Sequence, residues 1–371
     1  MRQSLQNITI KGFKTLSDLQ DFQPGSLTVL IGPNGAGKSN FISFFRMLSW
    51  ALSSPGNLQI HVAQLGGANM LLHDGSLKTR EVEADLTVET TAGKNQYSFR
   101  LVFAAGDTLI YAEEKFRFSR KEGGFPTPAP WKELGAGHRE SLLIGIKYNE
   151  EKTAKTIFNL LRKIIVYQFH NPSDTARIRG KWNVEDNRWL KEDGANLAPV
   201  LLRLKKNENR YYQRIVESVR LILPFFADFE LESENGGLLL CWRERNSDRI
   251  FNASQAADGM LRIMALITLL LQPEEALPGV LILDEPELGL HPYAINLIGG
   301  LIRAASTKTQ VIIATQSMPL IDCFEPKDIV VVERHGRESK FQRLDGKALE
   351  EWLKNYSISE LWEKNVIGGR P

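Results

Sequence analysis

The residue types best suited to chemistry lie between Leu27 and Leu52. There the run Gly32-Pro33-Asn34-Gly35-Ala36-Gly37-Lys38-Ser39 fits the phosphate-binding pattern G-x-x-x-x-G-K-[ST], and Asn40 follows it. Its three glycines let successive backbone N–H groups converge on phosphate oxygens. Lys38 supplies a positive charge for the β- and γ-phosphates, and the Ser39 hydroxyl is a candidate Mg²⁺ ligand. The run predicts a nucleoside triphosphate site.

Two elements must position this loop. The apolar run Leu27–Ile31 predicts a buried strand that enters it. Phenylalanine and leucine residues then recur at helical spacing, and Ser53-Ser54-Pro55-Gly56 ends that helix. The helix directs the positive end of its dipole at the bound anion. A strand, a loop and a helix in this order are the context that a phosphate loop requires.

A second pair of candidate catalytic residues follows another buried strand. The run Val280–Asp284 is apolar up to its last residue, and Glu285 comes next. In an enzyme with a phosphate loop this is the Walker B arrangement. Asp284 then holds Mg²⁺ through water or Ser39, and Glu285 orients or deprotonates the attacking water. Hydrolysis needs both carboxylates, since the metal clamps the phosphates and the base positions the nucleophile.

The segment directly before this strand predicts a helix with a distinctive start. Asp258 is suited to cap a helix whose residues 260–271 are almost wholly apolar and which ends near Pro273. A helix N-terminus that carries a glycine, here Gly259, just upstream of Walker B is typical of an ATP-binding-cassette signature. The amides of such a helix meet the γ-phosphate bound by another subunit.

Composition is typical of a soluble globular protein of two or three lobes: 371 residues, 43% hydrophobic and 24% charged. No apolar run approaches the roughly 18–20 residues that span a bilayer, and no signal-peptide pattern is apparent. Cys241 and Cys323 are too few for a disulfide framework or a four-cysteine zinc site. We therefore expect a reducing, cytoplasmic setting. The net charge of +2 excludes neither DNA nor protein partners.

Three segments are predicted along the chain. Residues 1–125 form the first half of the site-bearing domain, with strands at 5–13 and 27–31, a loop at 61–67 and antiparallel strands from period-two alternation over 81–120. A Gly- and Pro-rich run, 123–130, marks a lobe boundary. Residues 126–225 form a mostly helical insertion, and between residues 150 and 220 they carry 15 Lys/Arg against 9 Asp/Glu, a net +6. Residues 226–371 form the second half, where helices and short apolar strands alternate as in a parallel sheet.

These motifs resemble a head domain of the RecF/SMC/Rad50-like branch of ATP-binding-cassette ATPases. The chain is more closely similar to the bacterial group of ATPases labelled AAA-type or OLD-like, which lack coiled coils. Three stretches carry the resemblance: Ile8-Thr9-Ile10-Lys11-Gly12-Phe13-Lys14, the joined Walker B and D-loop Asp284-Glu285-Pro286-Glu287-Leu288-Gly289-Leu290-His291-Pro292, and the tail Leu353 to Pro371. The resemblance implies an α/β head with a mixed central sheet, an antiparallel β-lobe and a helical insertion. It also implies ATP with Mg²⁺ as ligands, and a homodimer in which Gly259 acts in trans.

Two positions depart from the pattern of the family. Ala257 stands where the signature serine is expected, so a hydroxyl that would contact the γ-phosphate across the dimer is missing. Gln316 stands where many cassettes have a switch histidine, and glutamine can hydrogen-bond phosphate or water but cannot carry charge. Slow hydrolysis is expected, with Gln316 as the γ-phosphate sensor. Gln64 is the candidate for the Q-loop glutamine that couples nucleotide to the inserted lobe.

Other residues give weaker signals. The histidines His61, His73, His138, His170 and His335 show no metal-ligand spacing. Four cations with Trp182 and Trp189 among them, at positions 177, 179, 181 and 188, suit phosphate contacts and base stacking, or a solvated helical face. Nothing resembles a toprim or metal-dependent nuclease centre, so DNA cleavage by this chain alone is not expected.

Three functions remain open. The first is an ATPase switch acting on DNA in repair or genome maintenance. The second is an ATPase sensor in an anti-phage or toxin-like system that gates a separately encoded effector, such as a toprim-like nuclease. The third is a nucleotide-dependent scaffold without hydrolysis, which Ala257 and Gln316 favour and which the intact Glu285 opposes.

Overall fold

A computed structural model describes residues 3–122, 125–146, 151–169 and 175–370. His170 and part of the predicted boundary at 123–130 lie outside these ranges. The chain divides into two compact units, which are described separately. The first comprises Met1–Val166, Pro278–Ile282 and Glu325–Pro371, and the second comprises Tyr167–Leu277 and Leu283–Phe324. No helix within the described ranges is long and apolar enough to cross a membrane.

The strands in the described part of the chain are, in order, β1 (Ser4–Phe13), β2 (Leu16–Phe22), β3 (Leu27–Ile31), β4 (Glu81–Thr90), β5 (Gly93–Ala104), β6 (Thr108–Glu122), β7 (Phe125–Pro128), β8 (Lys132–Gly135), β9 (Ile164–Tyr167), β10 (Trp182–Asn183), β11 (Phe226–Glu230), β12 (Gly237–Leu238), β13 (Cys241–Glu244), β14 (Ile250–Asn252), β15 (Val280–Asp284), β16 (Gln310–Ala314), β17 (Ile329–His335) and β18 (Glu338–Arg343). The α-helices of the same ranges are α1 (Lys38–Ala51), α2 (Asn57–Gln64), α3 (Lys152–Leu161), α4 (Leu197–Asn207), α5 (Asn209–Ile222), α6 (Asp258–Leu271), α7 (Pro292–Ser306), α8 (Met318–Ile321), α9 (Glu350–Leu353) and α10 (Ile358–Glu363).

The first unit contains an antiparallel β-lobe. Among the described residues its strands run in the order β2-β1-β4-β5-β6-β7, and β8 also pairs with β6. The period-two pattern predicted β4, β5 and β6. In β4, for example, buried Val82, Ala84 and Leu86 alternate with more exposed residues. The strand β2 was not predicted. It returns antiparallel to β1 after a tight turn at Lys14, whose φ of 48° is left-handed.

The phosphate loop follows a mixed sheet in the same unit. β17 lies parallel to β3 and antiparallel to β18, so the buried strand β3 enters the loop beside a C-terminal hairpin. Below the loop, α1 packs through an aromatic cluster: the rings of Phe41 and Phe45 lie 5.1 Å apart, and Phe41 also contacts Phe22 at 5.3 Å and Phe341 at 5.5 Å. Each fully buried phenylalanine contributes about 1.5–3 kcal/mol, so the helix is firmly seated.

The second unit places two helical layers around a buried signature helix. Residues Met260 to Leu271 of α6 are all buried, because α5 packs against this helix, as does α7. The strand β15 begins in the first unit and ends in the second, where the Glu285 amide donates to the Ala314 carbonyl oxygen of β16 at 2.8 Å. This hydrogen bond joins the C-terminal ends of β15 and β16, where the polar residues Asp284, Glu285 and Thr315 lie.

The structure corrects the predicted loop at His61–Gly67. A helix, α2, occupies Asn57–Gln64, so only residues 65–67 of that segment lie outside it. Its first amides, those of Leu58 and Gln59, donate to the carboxylate of Glu140 at 3.1 and 3.3 Å. This cap comes from about 80 residues away in the sequence, so local patterns do not reveal it. The three-segment division stays a prediction, and the two compact units divide the chain at other points.

Candidate functional site

The predicted phosphate loop has the backbone of an anion cradle. Gly32, Gly35 and Gly37 have φ values of 148°, 77° and 116°, which side-chain-bearing residues rarely adopt. A Cβ at Gly32 would lie 2.1 Å from the Val332 carbonyl oxygen, so this position requires glycine for packing as well as for conformation. A Cβ at Gly35 would meet only the Arg334 guanidinium, at 3.9 Å, which leaves this turn open to a ligand.

The side chains of the loop are arranged around this backbone. Lys38 is 5% exposed, and its ammonium donates to the carbonyl oxygens of Gly32, at 2.5 Å, and Pro33, at 3.1 Å. Ser39 is exposed in the first turn of α1. Helix α1 has Gly37 as its N-cap, and no side chain caps it. The positive end of the helix and Lys38 together suit a polyphosphate.

A hydrogen-bond network from distant parts of the first unit supports the loop. The buried Ser339 hydroxyl bonds the Ala36 carbonyl oxygen at 2.6 Å and the Thr15 hydroxyl at 2.7 Å. Asn40 donates to the same Thr15 hydroxyl at 2.8 Å. A Cβ at Gly37 would lie 1.9 Å from the Ser339 oxygen. The hairpin of β17 and β18 therefore fixes the loop, and the sequence alone did not identify this role.

The predicted carboxylates stand at the end of β15 in the second unit. Asp284 is 9% exposed and accepts a 2.6 Å hydrogen bond from the Gln168 amide. Glu285 is half-buried, and its φ of 45° is a left-handed conformation that costs a residue other than glycine about 1–3 kcal/mol. The Gln316 amide donates to the Glu285 carboxylate at 3.2 Å. The residue predicted at the switch position thus contacts the predicted base directly.

The donor set at this strand end suits magnesium. Asp284 offers a carboxylate and Gln168 an amide oxygen, both of which are hard oxygen ligands. Across the described ranges, no three His, Cys, Asp or Glu residues cluster as a metal cage would require.

The start of α6 is braced within the second unit. Asp258 does not cap the helix as predicted: the N-cap is Ala257, and no side chain caps it. Because Asp258 occupies the first helical position, its carboxylate is free to pair with Arg179 at 2.6 Å instead. The buried Arg179 guanidinium also donates to the carbonyl oxygens of Ala253 and Ala256 and so holds the segment that leads into the helix.

Gly259 and Arg262 connect α6 to the D-loop. A Cβ at Gly259 would lie 2.9 Å from the Gly289 carbonyl oxygen, so this glycine allows a close approach inside its own unit. Arg262 is 9% exposed and donates to the carbonyl oxygens of Phe169, at 2.8 Å, and Leu288. One arginine therefore joins the signature helix to the D-loop and to the segment after Gln168.

Two glutamines are candidates for the Q-loop residue that couples nucleotide to the inserted lobe. Gln64, the predicted candidate, is the exposed last residue of α2 in the first unit. Gln168 directly follows β9 and contacts Asp284. Sequence reasoning missed Gln168, although its place at the end of an apolar strand was a usable signal.

Comparison with solved structures defines the class of protein. The SmcHead bound to the C-winged helix domain of ScpA is 14% identical, with a TM-score of 0.59, and the alignment covers 94% of this chain and 99% of that one. The SMC head domain from Thermotoga maritima is 14% identical, with a TM-score of 0.50 and coverage of 93% and 100%. An Smc head domain with an extended coiled coil, bound to the C-terminal domain of ScpA derived from Pyrococcus furiosus, is 14% identical, with a TM-score of 0.55. That alignment covers 95% of this chain and 99% of the other.

At this identity the likeness establishes the fold, which is the P-loop NTPase fold of SMC heads. The predicted fold class and the SMC/RecF-like resemblance are thereby confirmed. Residues 27–322 match the family described as "AAA domain, putative AbiEii toxin, Type IV TA system", and the chain belongs to that family. No curated protein matches the chain. The family match and the likeness to SMC heads both support a nucleotide-binding ATPase-type protein.

Proposed function

We propose that the chain binds and hydrolyses ATP with Mg²⁺. The observation that carries this proposal is the contact between Gln316 and Glu285 at the end of β15, with Asp284 and Gln168 beside it. A protein that needed only to bind nucleotide would have little use for a carboxylate held in a strained backbone conformation beside a positioning amide. Preference for ATP over GTP comes from the family, because the chain carries no evident base-specificity motif.

The proposed mechanism assigns a role to each side chain of the site. The amides of residues 32–39 and the Lys38 ammonium bind the β- and γ-phosphates. Ser39 and Asp284 would hold Mg²⁺, which when bound would supply positive charge against the phosphate oxygens. Glu285 orients the attacking water and accepts its proton, and Gln316 fixes that carboxylate and senses the γ-phosphate. Gln168 orients Asp284 in this scheme, the role first assigned to Gln64.

A homodimer would complete each site. In this proposal the start of α6, with Asp258 and Gly259, meets the γ-phosphate bound by the other subunit. ATP binding closes the dimer and hydrolysis opens it. The cis contacts of Asp258 and Gly259 support the proposal in one respect, since they hold this helix start rigidly in place.

The family description favours a partner-gated sensor over a DNA repair switch, because it names a toxin of a type IV toxin–antitoxin system. The basic residues that suggested DNA are largely engaged within the chain. Arg179 is buried against Asp258, and Arg177 pairs with Asp193 at 3.1 Å while its guanidinium stacks 4.6 Å from the Trp182 ring. We therefore propose a separately encoded effector, of which a toprim-like nuclease is one candidate, as the principal partner.

Turnover of ATP by the purified chain tests the proposal, with and without double-stranded DNA. We expect slow turnover that DNA does not raise, and its loss in Lys38→Ala and Glu285→Gln. Glu285→Gln should also accumulate an ATP-bound dimer on a sizing column, because it binds without hydrolysing. Stimulation by DNA would restore the repair hypothesis, and ATP binding without any turnover would support the scaffold.

Turnover in Gln316→Ala tests the sensor role separately. We expect it to fall, since the amide that fixes Glu285 is removed. Unchanged turnover in this variant would remove Gln316 from the mechanism while leaving the ATPase proposal intact.

A further inference from the structure

A third carboxylate, Glu287, lies two residues beyond the proposed base. It is 9% exposed, although it belongs to the D-loop, whose neighbouring Leu288 and Gly289 are exposed. Ionisable side chains are rarely this buried unless they have a specific partner. The position of Glu287 therefore calls for a physical role beyond that of a surface loop residue.

The partner of Glu287 is the segment that follows β16. Its carboxylate accepts a hydrogen bond from the Thr315 hydroxyl, which is fully buried, and the Gln316 backbone also hydrogen-bonds this carboxylate. The Ser317 amide in turn donates to the Thr315 oxygen at 3.0 Å. Glu287 thus bonds the side chain of Thr315 and the backbone of Gln316, the residue whose side chain contacts Glu285.

The same segment bears directly on the proposed base. Gln316 donates to Glu285 at 3.2 Å, and the Glu285 amide donates to Ala314 at 2.8 Å. The left-handed backbone of Glu285 persists only if its surroundings over-determine it. Backbone hydrogen bonds within the turn, from Leu288 to Glu285 at 3.2 Å and from Leu290 to Glu287 at 2.9 Å, supply part of that restraint.

We propose that Glu287 and Thr315 form a positioning pair that fixes Gln316 on Glu285 and so sets the geometry of hydrolysis. This inference rests on the proposed ATPase function. Glu287 does not touch substrate in this scheme; it acts through Thr315 and Gln316. The pair links the D-loop to the switch position, and a shift of the D-loop is thereby transmitted to the base.

The test compares the kcat and KM of ATP hydrolysis in matched variants. Thr315→Val removes the hydroxyl at nearly constant shape, and Thr315→Ser keeps it. We expect Thr315→Val and Glu287→Ala each to lower kcat by about 10- to 100-fold, as a misplacement of about 1 Å does. We expect KM to stay within about twofold, because an interaction used only in the chemical step is lost. Thr315→Ser should behave as the unmodified chain does.

A double variant, Glu287→Ala with Thr315→Val, distinguishes a positioning pair from two independent supports. We expect it to be no slower than either single variant, since both changes break the same interaction. Values of kcat close to that of the unmodified chain, or a raised KM with loss of thermal stability, would overturn the inference and leave the ATPase proposal standing. Absence of turnover in the unmodified chain would overturn both together.

Discussion

At the scale of single residues, the first unit contains a buried histidine, His61, whose surroundings oppose its protonation. His61 is buried in α2, and burial, with repulsion from Arg46 and Lys14, lowers its pKa to about 4. Burial disfavours the charged imidazolium, and two neighbouring cations add to this effect. His61 is therefore neutral in the folded chain at pH values where a histidine in an unfolded chain takes up a proton.

This shift predicts the direction of a pH effect on stability. Between pH 6.5 and about 4, His61 binds a proton in the unfolded chain but not in the folded chain. The free energy of unfolding therefore falls as pH falls through this window. We expect the melting temperature to drop from pH 7 to pH 5, and to drop less in His61→Gln, which cannot be charged. The exposed His335 provides the control through His335→Gln. Equal slopes for both variants would contradict the assignment.

The residues that sequence reasoning found and those that it missed differ in how their signal is encoded. The phosphate loop and Asp284-Glu285 are contiguous runs whose residue types follow directly from the chemistry of phosphate and magnesium. Gln168, Ser339 and Glu287 act through partners between 28 and 324 positions away. Their residue types are common, and only the folded chain brings each to its partner.

At the scale of elements, the signature helix and the D-loop depend on one close approach. A Cβ at Gly259 would lie 2.9 Å from the Gly289 carbonyl oxygen, and backbone atoms cannot move aside as a flexible side chain does. We therefore expect Gly259→Ala to destabilise the chain by about 1–3 kcal/mol even without nucleotide. Thermal melting in the absence of ATP measures this cost.

Gly300 in the middle of α7 is the matched control for that variant. A Cβ there would meet no atom within 4 Å, so Gly300→Ala should be neutral or stabilising. If Gly259→Ala melted as Gly300→Ala does and lost only ATP-dependent association, this glycine would serve the partner subunit alone.

The C-terminal tail provides a second prediction at this scale. The Gly369 amide donates to Glu333 at 2.6 Å, and its carbonyl oxygen accepts from the fully buried Trp362 indole. A Cβ at Gly369 would lie 2.4 Å from Val331 and 3.7 Å from the Gly32 Cα, so the tail runs beside the phosphate loop. We expect Gly369→Ala to lower the melting temperature and weaken ATP binding, as measured by titration with a fluorescent ATP analogue.

Gly336 allows the cost of backbone strain to be separated from the cost of the contact. Its φ of 63° matches the 61° of Gly369, but a Cβ there would meet nothing within 4 Å. Gly336→Ala should therefore keep full affinity for the analogue. Equal loss of affinity in both variants would mean that strain, and not the tail contact, disturbs the loop.

Elements were predictable where their cause is local. Buried and more exposed residues alternate along most of β5, and most residues of α6 are apolar. The helix α2 was missed because its N-terminus is capped by Glu140 from a different part of the first unit. The capping of α6 by Asp258 was mispredicted because the helix begins at Asp258 itself, and the carboxylate pairs with Arg179 instead. Both of these partners, Glu140 and Arg179, lie far from the helix in the sequence.

At the scale of the whole molecule, composite sites predict complementation between two inactive variants. Lys38→Ala disables the phosphate loop of its own subunit, and Ala257→Glu places a negative charge at the exposed start of α6, where a partner's γ-phosphate would lie. Each homodimer then has two defective sites. A mixed dimer combines the intact loop of one subunit with the intact helix of the other, so one of its two sites is sound.

We therefore expect mixing the two variants in equal amounts to restore ATP turnover to about a quarter of the unmodified level, since about half of the dimers are mixed and each carries one sound site. Ala257 is exposed, so the substitution should leave folding intact, and equal melting temperatures check this.

Mixing either variant with Glu285→Gln tests which defects lie on the same side of the composite site. Lys38→Ala with Glu285→Gln leaves no site that can hydrolyse, because both defects lie on the phosphate-loop side. Ala257→Glu with Glu285→Gln leaves one sound site, because they lie on opposite sides. Recovery in the second pair and not in the first would locate α6 in trans, whereas full turnover by Ala257→Glu without any mixing would mean that each subunit hydrolyses ATP alone.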